Sequence, residues 1–274
     1  MPEFQALSSL SFAKSQWAKT GPKPSHPCLV ASDLDGTLTQ QGELTSLLIQ
    51  ALQELRSAGI PVVIVTGRSA GWVSGLVQYL PVAGAIAENG GLFFPKADAN
   101  PMLLVEISDL SAHRQRLADL FAQLQAQHPQ LQESTDNRYR LTDWTFDVEG
   151  LSPEELEALA AACEQAGWGF TYSNVQCHLK LAQQNKAKAL LQVLETQFPK
   201  ITPQEIITVG DSPNDDSLFD PDLFPHSIGM ANIQPYWEVL SHHPAYVTQG
   251  AESQGFLELS RALIEARSRR LRED

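Results

Sequence analysis

The sequence predicts an α/β fold in which a parallel sheet is flanked by helices and a second unit of helices and strands is inserted. Three runs, at 28–32, 60–65 and 206–210, are nearly continuous in apolar residues and stop at turn signals, as buried parallel strands do. Helical patterns alternate with these runs, which favours crossovers between parallel strands. About 120 residues separate the second run from the helix at Lys186, whereas a βαβ unit needs only ~30. This excess predicts the inserted unit.

The helix that joins the first two strands is predicted over 43–58, because its apolar residues recur three and four positions apart. These residues are Leu44, Leu47, Leu48, Ala51, Leu52 and Leu55. A second amphipathic helix begins near Asn185, and a C-terminal helix is expected over 256–271. Polar residues that follow the strands lie at their carboxyl ends, where open α/β sheets bind ligands. Further strands of this sheet are expected at 83–88, 227–230 and 245–247.

The inserted unit is predicted over 93–181 from patterns of its own. A second helix in it begins at Ser152, with a proline in the first turn and Glu155 three residues after the cap, and it ends at Gly167. The first helix carries an apolar stripe of Leu117, Leu120, Phe121 and Leu124. Strands are expected at 102–107, 145–148 and 176–182.

Composition argues against several classes of function. The 274 residues carry a formal net charge of −13, whereas nucleic-acid-binding surfaces are basic. No apolar run of the sequence approaches the ~20 residues of a membrane span. Three cysteines, an odd number without metal-ligand spacing, favour a reduced, cytoplasmic setting. Residues 1–27 lack the apolar segment of a secretory signal and are expected to form a poorly ordered tail.

Two carboxylates, Asp33 and Asp35, directly follow the first strand. Side chains alternate in extended backbone, so both carboxylates face the same way. Like charges at such a short distance require a cation or a shared proton. The arrangement suits Mg²⁺ bound by one carboxylate while the other is free for proton transfer. The spacing alone permits either attack by a carboxylate or attack by a metal-bound hydroxide.

Groups that can bind a phosphate follow the second strand and begin a later helix. Thr66 offers its hydroxyl and its backbone N–H, and Gly67 lets the backbone approach a phosphate oxygen. Lys186 can reach a phosphoryl oxygen and offset the charge of the acid pair. Lys188, two residues on, offers a second ammonium for the same role.

A third acidic cluster follows the third strand. Asp211 is the expected remaining protein ligand of the metal ion. Asn214 and Asp215 come soon after it, and they are expected to bind the metal or to support its ligands.

The ordered set of motifs resembles the haloacid dehalogenase superfamily of phosphohydrolases. The superfamily's first signature is similar to residues 33–39, which read Asp-Leu-Asp-Gly-Thr-Leu-Thr, and Thr66, Lys186 and Asp211 follow in the superfamily's order. Ala187 stands where the family usually has glycine. The resemblance implies a Rossmann-like core, here at 28–92 and 182–274, with a C2-type cap at 93–181.

Two glycine-containing segments narrow the resemblance. The turn at 87–91 and the run at 229–232 are similar to the IIB (Cof-like) branch, which includes sucrose-phosphate and mannosyl-3-phosphoglycerate phosphatases. The family's mechanism implies that Asp33 forms an aspartyl-phosphate and that Asp35 is the general acid and base. Mg²⁺ would be held by Asp33, the backbone carbonyl of Asp35, and Asp211. Residues expected to support these ligands or to contact the substrate are Arg68, Asn89, Asn214, Asp215 and Asn232.

The substrate is expected to be a small phosphorylated molecule, with a phosphosugar preferred. The segment 136–144 is rich in hydrogen-bonding side chains, and its Arg138 and Arg140 suit an additional carboxylate or phosphate. A C2-type cap would roof the site and disfavour phosphoproteins. A phosphomutase of the same fold is an alternative, and it would return an isomer rather than free phosphate. A catalytically weak phosphosugar-binding regulator is a further alternative.

Overall fold

The computed structural model describes residues 29–96 and 100–270, so the tail predicted over 1–27 lies outside the described residues. In chain order the strands and α-helices are β1 (Leu29–Ser32), α1 (Ser46–Ser57), β2 (Val62–Val65), α2 (Ala70–Tyr79), β3 (Gly84–Ala87), β4 (Leu92–Pro95), β5 (Met102–Leu103), α3 (Leu110–Gln127), β6 (Trp144–Asp147), α4 (Pro153–Gln165), β7 (Trp168–Tyr172), β8 (Gln176–Leu181), α5 (Lys186–Gln197), β9 (Ile206–Gly210), β10 (Ser227–Gly229), β11 (Tyr246–Val247) and α6 (Glu252–Arg270). Short 3₁₀ helices span Asn137–Tyr139, Pro203–Glu205, Pro213–Leu218 and Ala231–Val239.

A large sheet of eight strands, in the order β11-β10-β9-β1-β2-β3-β4-β5, forms the centre of the molecule. Its strands are parallel from β11 to β3, and β4 and β5 are antiparallel additions at one edge. The strand β1 is fully buried and pairs on both sides, with Ala31 opposite Val63 of β2 and Thr208 of β9. This register brings the carboxyl ends of three neighbouring strands to one edge of the sheet.

Helices cover both faces of the large sheet. On one face α1, α2 and α6 bury apolar residues that include Leu52, Val73 and Phe256. On the other face α5 packs through Leu190 and Val193. The alternation predicted from the sequence, with a parallel sheet flanked by helices, is therefore confirmed. No helix within the described residues is both long and apolar enough to cross a membrane.

A small antiparallel sheet, in the order β6-β8-β7, forms the cap together with α3 and α4. One face of this sheet packs against the two helices and forms an apolar cluster with them. Cys177 and Leu179 of β8 belong to this cluster. Alternation along β8 turns Gln176, His178 and Lys180 to the opposite face. The start of α4 is as predicted, because Ser152 forms a capping box at this point.

Several element bounds differ from those predicted. The first helix begins at Ser46 because Thr45 accepts a hydrogen bond from the backbone N–H of Leu48 and so caps it. The strand expected at 102–107 is shortened to β5, and it pairs with β4 in the large sheet rather than in the cap. The large sheet thus continues beyond residue 92, and the exact boundary between core and cap stays a prediction. The strands β4 and β7 were not predicted.

Glu88 joins the cap to the core. It lies in the turn between β3 and β4, with a φ of 54° and a side chain that is fully buried. Its carboxylate accepts hydrogen bonds from the backbone N–H groups of Ala70 in the core and of Leu141 and Thr142 in the cap, and from the Thr142 hydroxyl. Burial raises the pKa of Glu88 to about 7, and its four donors favour the ionised form.

Glu88→Gln is expected to destabilise the fold. The amide would place its own N–H₂ group against N–H and O–H groups that donate hydrogen bonds to the carboxylate in the wild type. The expected loss is about 2 kcal/mol in the free energy of unfolding, measured by urea denaturation at a pH above the Glu88 pKa of about 7. The matched control is Glu195→Gln, since Glu195 is exposed on α5. Equal stability of the two variants would contradict the role given to Glu88.

Candidate active site

The carboxyl ends of β1, β2 and β9 place three predicted site residues at one edge of the sheet. Asp33 follows β1, Thr66 follows β2 and Asp211 follows β9, and all three are buried. Gly36 lets the loop after β1 approach Asp211, because a Cβ at this position would collide with the Asp211 carboxylate. Its φ of 80° also favours glycine.

Lys186 lies at the centre of the site. It is the first residue of α5, which is capped by Asn185, and its side chain is fully buried. Its ammonium donates to Asp33 Oδ1 and to Asp215 Oδ1, both at 2.6 Å. Lys188 is exposed on the same helix. Of the two lysines considered from the sequence, the structure therefore places Lys186 against the acid cluster.

Three carboxylates, those of Asp33, Asp211 and Asp215, offer oxygen atoms that all lie within 4.8 Å of one another. Burial raises the pKa of Asp33 to about 7, with Asp215 and Asp35 adding to the rise and Lys186 opposing it. The pKa of Asp211 is also raised, first by burial and then by the neighbouring carboxylates. One ammonium does not balance this charge, so an oxygen-lined, electronegative site of this kind fits a divalent cation.

The carboxylates of this cluster are held differently. Asp215 has both oxygens occupied, one by Lys186 and the other by the backbone N–H groups of Asp211 and Ser212. Asp211 accepts one hydrogen bond on each oxygen, from the Thr37 hydroxyl and from the side-chain amide of Asn232. Asp215 therefore orders the cluster, and Asp33 and Asp211 are the side chains best placed to bind a cation.

Asn232 connects three segments around Asp211. Besides donating to Asp211 Oδ2 at 2.8 Å, its amide donates to the carbonyl of Gly36 and accepts from the backbone N–H of Glu252. The structure thus places Asn232 where it supports Asp211, the predicted metal ligand. The carbonyl of Asp35 as a further ligand stays a prediction.

Asp35 is paired with Arg68. The guanidinium donates from Nε and Nη2 to the two carboxylate oxygens at 2.7 and 2.6 Å. It also lies over the ring of Trp72, with its carbon 4.9 Å from the ring centroid. Both charged side chains line the cleft and are partly exposed. Arg68 is therefore the residue that controls the position of the Asp35 carboxylate.

Thr66 and Gly67 border the cleft, with one difference from the expectation. The backbone N–H of Thr66 is bound to the carbonyl of Ile86, so only its hydroxyl remains to donate to a phosphate. The side-chain N–H₂ of Asn89 is buried and has no partner among the described residues. It lies beside Gly67, and Asn214 donates to its oxygen at 3.2 Å. An unpaired buried donor at this place suits an anionic ligand.

The cap closes the cleft with four residues that the sequence analysis missed. They are Ser173, Val175, Gln176 and His178. Their only sequence signal is the period-2 pattern of β8 and the turn before it, which does not by itself tell which face of the strand meets the core. Which face of β8 meets the core is determined by the contact between the cap and the core.

Arg138 and Arg140, both expected to contact the substrate, are not among the residues that line the cleft, and the role of Arg138 stays a prediction. Arg138 is exposed and lies over the ring of Tyr139. Arg140 is fully buried, and its N–H groups are directed at protein acceptors. These acceptors are the carboxylates of Asp136 and Asp143, the carbonyl of Gly67 and the amide oxygen of Gln176. Because its donors are engaged within the protein, Arg140 holds the cap together rather than contacting a substrate.

Comparison with known proteins agrees with this geometry. A family model for haloacid dehalogenase-like hydrolases matches residues 30–145. The phosphoglycolate phosphatase of Methanopyrus kandleri is 30% identical over 201 residues, which cover 69% of this chain and 79% of that protein. The structure of Thermoplasma acidophilum 0175 superposes with a TM-score of 0.70 at 20% identity, covering 88% of this chain and 99% of that one. The sucrose-phosphatase of Synechocystis sp. PCC6803, solved with sucrose and phosphate, gives a TM-score of 0.64 at 19% identity, with 88% and 98% covered.

Magnesium is expected to stabilise the protein, and to do so more strongly as the pH rises. The pKa of Asp33 is raised from 3.8 to about 7, so between these values the folded state retains a proton that the unfolded state has lost. Stability without metal therefore falls as the pH rises through this range. Mg²⁺ competes with these protons, so the gain in melting temperature on adding it should be larger above pH ~7 than near pH ~5.

The control for this experiment is a pair of variants with the same change of charge. Asp211→Asn should lose most of the magnesium-dependent shift, whereas Asp222→Asn should retain it because Asp222 is exposed and outside the cluster. A melting temperature of the wild type that does not respond to Mg²⁺ above pH ~7 would contradict the metal site.

Proposed function

Since the chain belongs to the haloacid dehalogenase-like hydrolases and is a phosphatase, we propose that it hydrolyses small phosphomonoesters through a covalent aspartyl-phosphate at Asp33, with Mg²⁺ as cofactor. The observation that carries this proposal is the position of Asp33. One of its oxygens is held by Lys186 at 2.6 Å, and its carboxylate borders the same cleft as Asp35 and Thr66.

Asp33 and Asp211 are the side chains proposed to hold Mg²⁺, together with the backbone carbonyl of Asp35. When bound, the ion supplies positive charge that offsets the charge of the transferred phosphoryl group. The raised pKa values of both aspartates are what a carboxylate site prepared for a cation should have when no cation is present.

The chain's own residues perform the remaining steps. Asp33 attacks phosphorus, the bond to the leaving oxygen breaks, and Asp35 gives that oxygen its proton. A water molecule then attacks the phosphorus of the aspartyl-phosphate, and Asp35 takes a proton from it. The bond between phosphorus and the Asp33 oxygen breaks, so inorganic phosphate leaves and the Asp33 carboxylate is restored. The Thr66 hydroxyl, the Gly67 N–H and the Lys186 ammonium hold the phosphoryl oxygens while charge shifts among them.

Arg68 imposes a condition on this cycle. In the structure both oxygens of Asp35 accept from its guanidinium. For Asp35 to carry a proton towards a leaving group, one of these hydrogen bonds must be given up. An anionic substrate that takes part of the guanidinium would release the acid at the moment when it is needed.

A small phosphosugar is the substrate class we propose first. Polar cap residues border the cleft, which favours a leaving group rich in hydroxyl groups. Phosphoglycolate is the second candidate, because the relative from Methanopyrus kandleri carries that name. We place the reaction in the cytoplasm, since Cys163 and Cys177 are buried free thiols.

Asp33→Asn is expected to lower phosphate release from 4-nitrophenyl phosphate by about three orders of magnitude or more, because the amide is a poor nucleophile of nearly the same shape. Circular dichroism should show an unchanged fold. Asp222→Asn, the same change at an exposed site, should retain activity. Acid-quenched wild type should carry a phosphoryl group on Asp33, detected by mass spectrometry. A variant at Asp33 that keeps a tenth of the activity would contradict covalent attack.

A substrate screen should favour small phosphosugars over nucleotides and phosphopeptides, because the cap roofs the cleft. The screen measures free phosphate from hexose phosphates, disaccharide phosphates, phosphoglycerate derivatives and phosphoglycolate. Preference for phosphoglycolate would support the second candidate. Conversion of a sugar phosphate into its isomer without free phosphate would indicate a phosphomutase, and binding without turnover would indicate a regulator.

A further inference from the structure

His178 is a buried histidine of the cap that borders the cleft. It lies on β8, is 2% exposed and borders the same cleft as Asp33 and Asp35. Its Nδ1 is 2.9 Å from the carboxylate of Asp143. Its Cε1 and Nε2 lie against Gly67, where an added Cβ would come within 2.9 and 3.0 Å of them. Among the described residues Nε2 has no hydrogen-bond partner.

The ring is held in place by a buried network. Asp143 is fully buried and also accepts from Arg140 Nη1 at 2.9 and 3.0 Å, one distance to each oxygen. Arg140 keeps the pKa of Asp143 below its usual range, so this carboxylate is ionised and accepts from Nδ1–H of His178. With Nδ1 as a donor, Nε2 of the neutral ring is an acceptor.

Gln176, two residues before His178 and on the same face of β8, is fixed by the same arginine. Arg140 Nη2 donates to Gln176 Oε1 at 2.9 Å. This contact assigns the amide orientation, because only the oxygen can accept from a guanidinium. The N–H₂ group of Gln176 is therefore available as a donor on the same face of β8 as His178, and both residues border the cleft.

A donor and an acceptor on the same wall of the cleft match a hydroxyl group, which accepts one hydrogen bond and donates another. A carboxylate only accepts, so it would place a lone pair against that of Nε2. An alkyl group that displaced water from the cleft would leave both polar groups unpaired, which costs binding free energy. The chemistry of this pair thus distinguishes among leaving groups.

We propose that His178 and Gln176 determine specificity by binding a hydroxyl group of the leaving group, with His178 as acceptor and Gln176 as donor. This inference rests on the proposed phosphatase function and names the substrate class as polyol or sugar phosphates. Arg140 and Asp143 are positioning residues in this arrangement, because they act through the two side chains that they orient.

The charges around His178 agree with a neutral ring. Burial lowers its pKa, Arg140 and Lys186 lower it further, and Asp143 opposes them. Asp33, Asp35 and Arg68 border the cleft on the core side, with Asp33 bound to Lys186 and Asp35 bound to Arg68.

The test compares two substitutions at His178 that distinguish the roles of its two ring nitrogens. In His178→Asn the amide lies near the position of Nδ1 and has nothing at the position of Nε2. In His178→Gln the amide is one methylene farther out and presents an oxygen near the position of Nε2. His128→Ala is a control for loss of a cap histidine, since His128 is in the cap at the end of α3 and outside the cleft.

Each protein is assayed with Mg²⁺ on two substrates that differ only in hydroxyl groups, glycerol phosphate and propyl phosphate. The wild type should prefer glycerol phosphate in kcat/KM by about tenfold or more. His178→Asn should lose this preference, mainly through KM for glycerol phosphate. His178→Gln should retain most of it, and His128→Ala all of it. Equal losses on both substrates in His178→Asn, or no preference in the wild type, would overturn the proposal.

Binding separates this inference from the proposed function. Calorimetry on Asp33→Asn should show tighter binding of glycerol phosphate than of propyl phosphate, and adding His178→Asn should remove the difference. If the wild type releases no phosphate from any ester, the proposed function fails, and this binding comparison still decides the role of His178. Tighter binding of phosphoglycolate than of glycerol phosphate would overturn hydroxyl recognition.

Discussion

The buried ammonium of Lys186, held between Asp33 and Asp215, is the interaction on which the active site depends. Each contact is 2.6 Å, and the lysine side chain is inaccessible to solvent. A buried charge is costly unless it is paired. One lysine therefore ties the loop after β1, the segment after β9 and the start of α5 to a single point. Removing it would leave the carboxylates of Asp33, Asp211 and Asp215 close together and without a balancing charge.

The parallel order of the strands in the large sheet brings these charged residues together. Because β1 pairs with both β2 and β9 in parallel register, the three strands end at the same level. The charged residues then need only short loops to meet. Gly36 and Gly210 allow close approaches to the aspartates, since a side chain at Gly36 would collide with the carboxylate of Asp211 and one at Gly210 with that of Asp215. The remaining repulsion would be reduced by protonation or by the proposed cation, which would connect the stability of the fold to the chemistry of the site.

Sequence reasoning predicted the parts of the molecule in which an apolar strand pattern is followed directly by the polar residue that belongs to the site. Strands such as β9, with its apolar run and the aspartate after it, reveal both their burial and their chemistry. It could not predict the role of Arg140, because a segment rich in polar side chains looks the same whether it faces solvent or forms a buried network. His178 was missed for a related reason. Alternation in β8 defines two faces, but only the docking of the cap on Gly67 shows which face meets the site.

Buried polar groups, and not apolar contacts alone, join the cap to the core. Glu88 binds backbone N–H groups of both units. Arg140 reaches from the cap to the carbonyl of Gly67. Such hydrogen bonds are directional, so they fix the position of the cap more narrowly than apolar contacts would. The same arginine also orients Asp143 and Gln176. The Gly67 backbone, proposed to bind phosphate, and the side chains proposed to contact the leaving group are thus held by one guanidinium. This explains why Arg140, which has no donor left for a substrate, lies near the cleft.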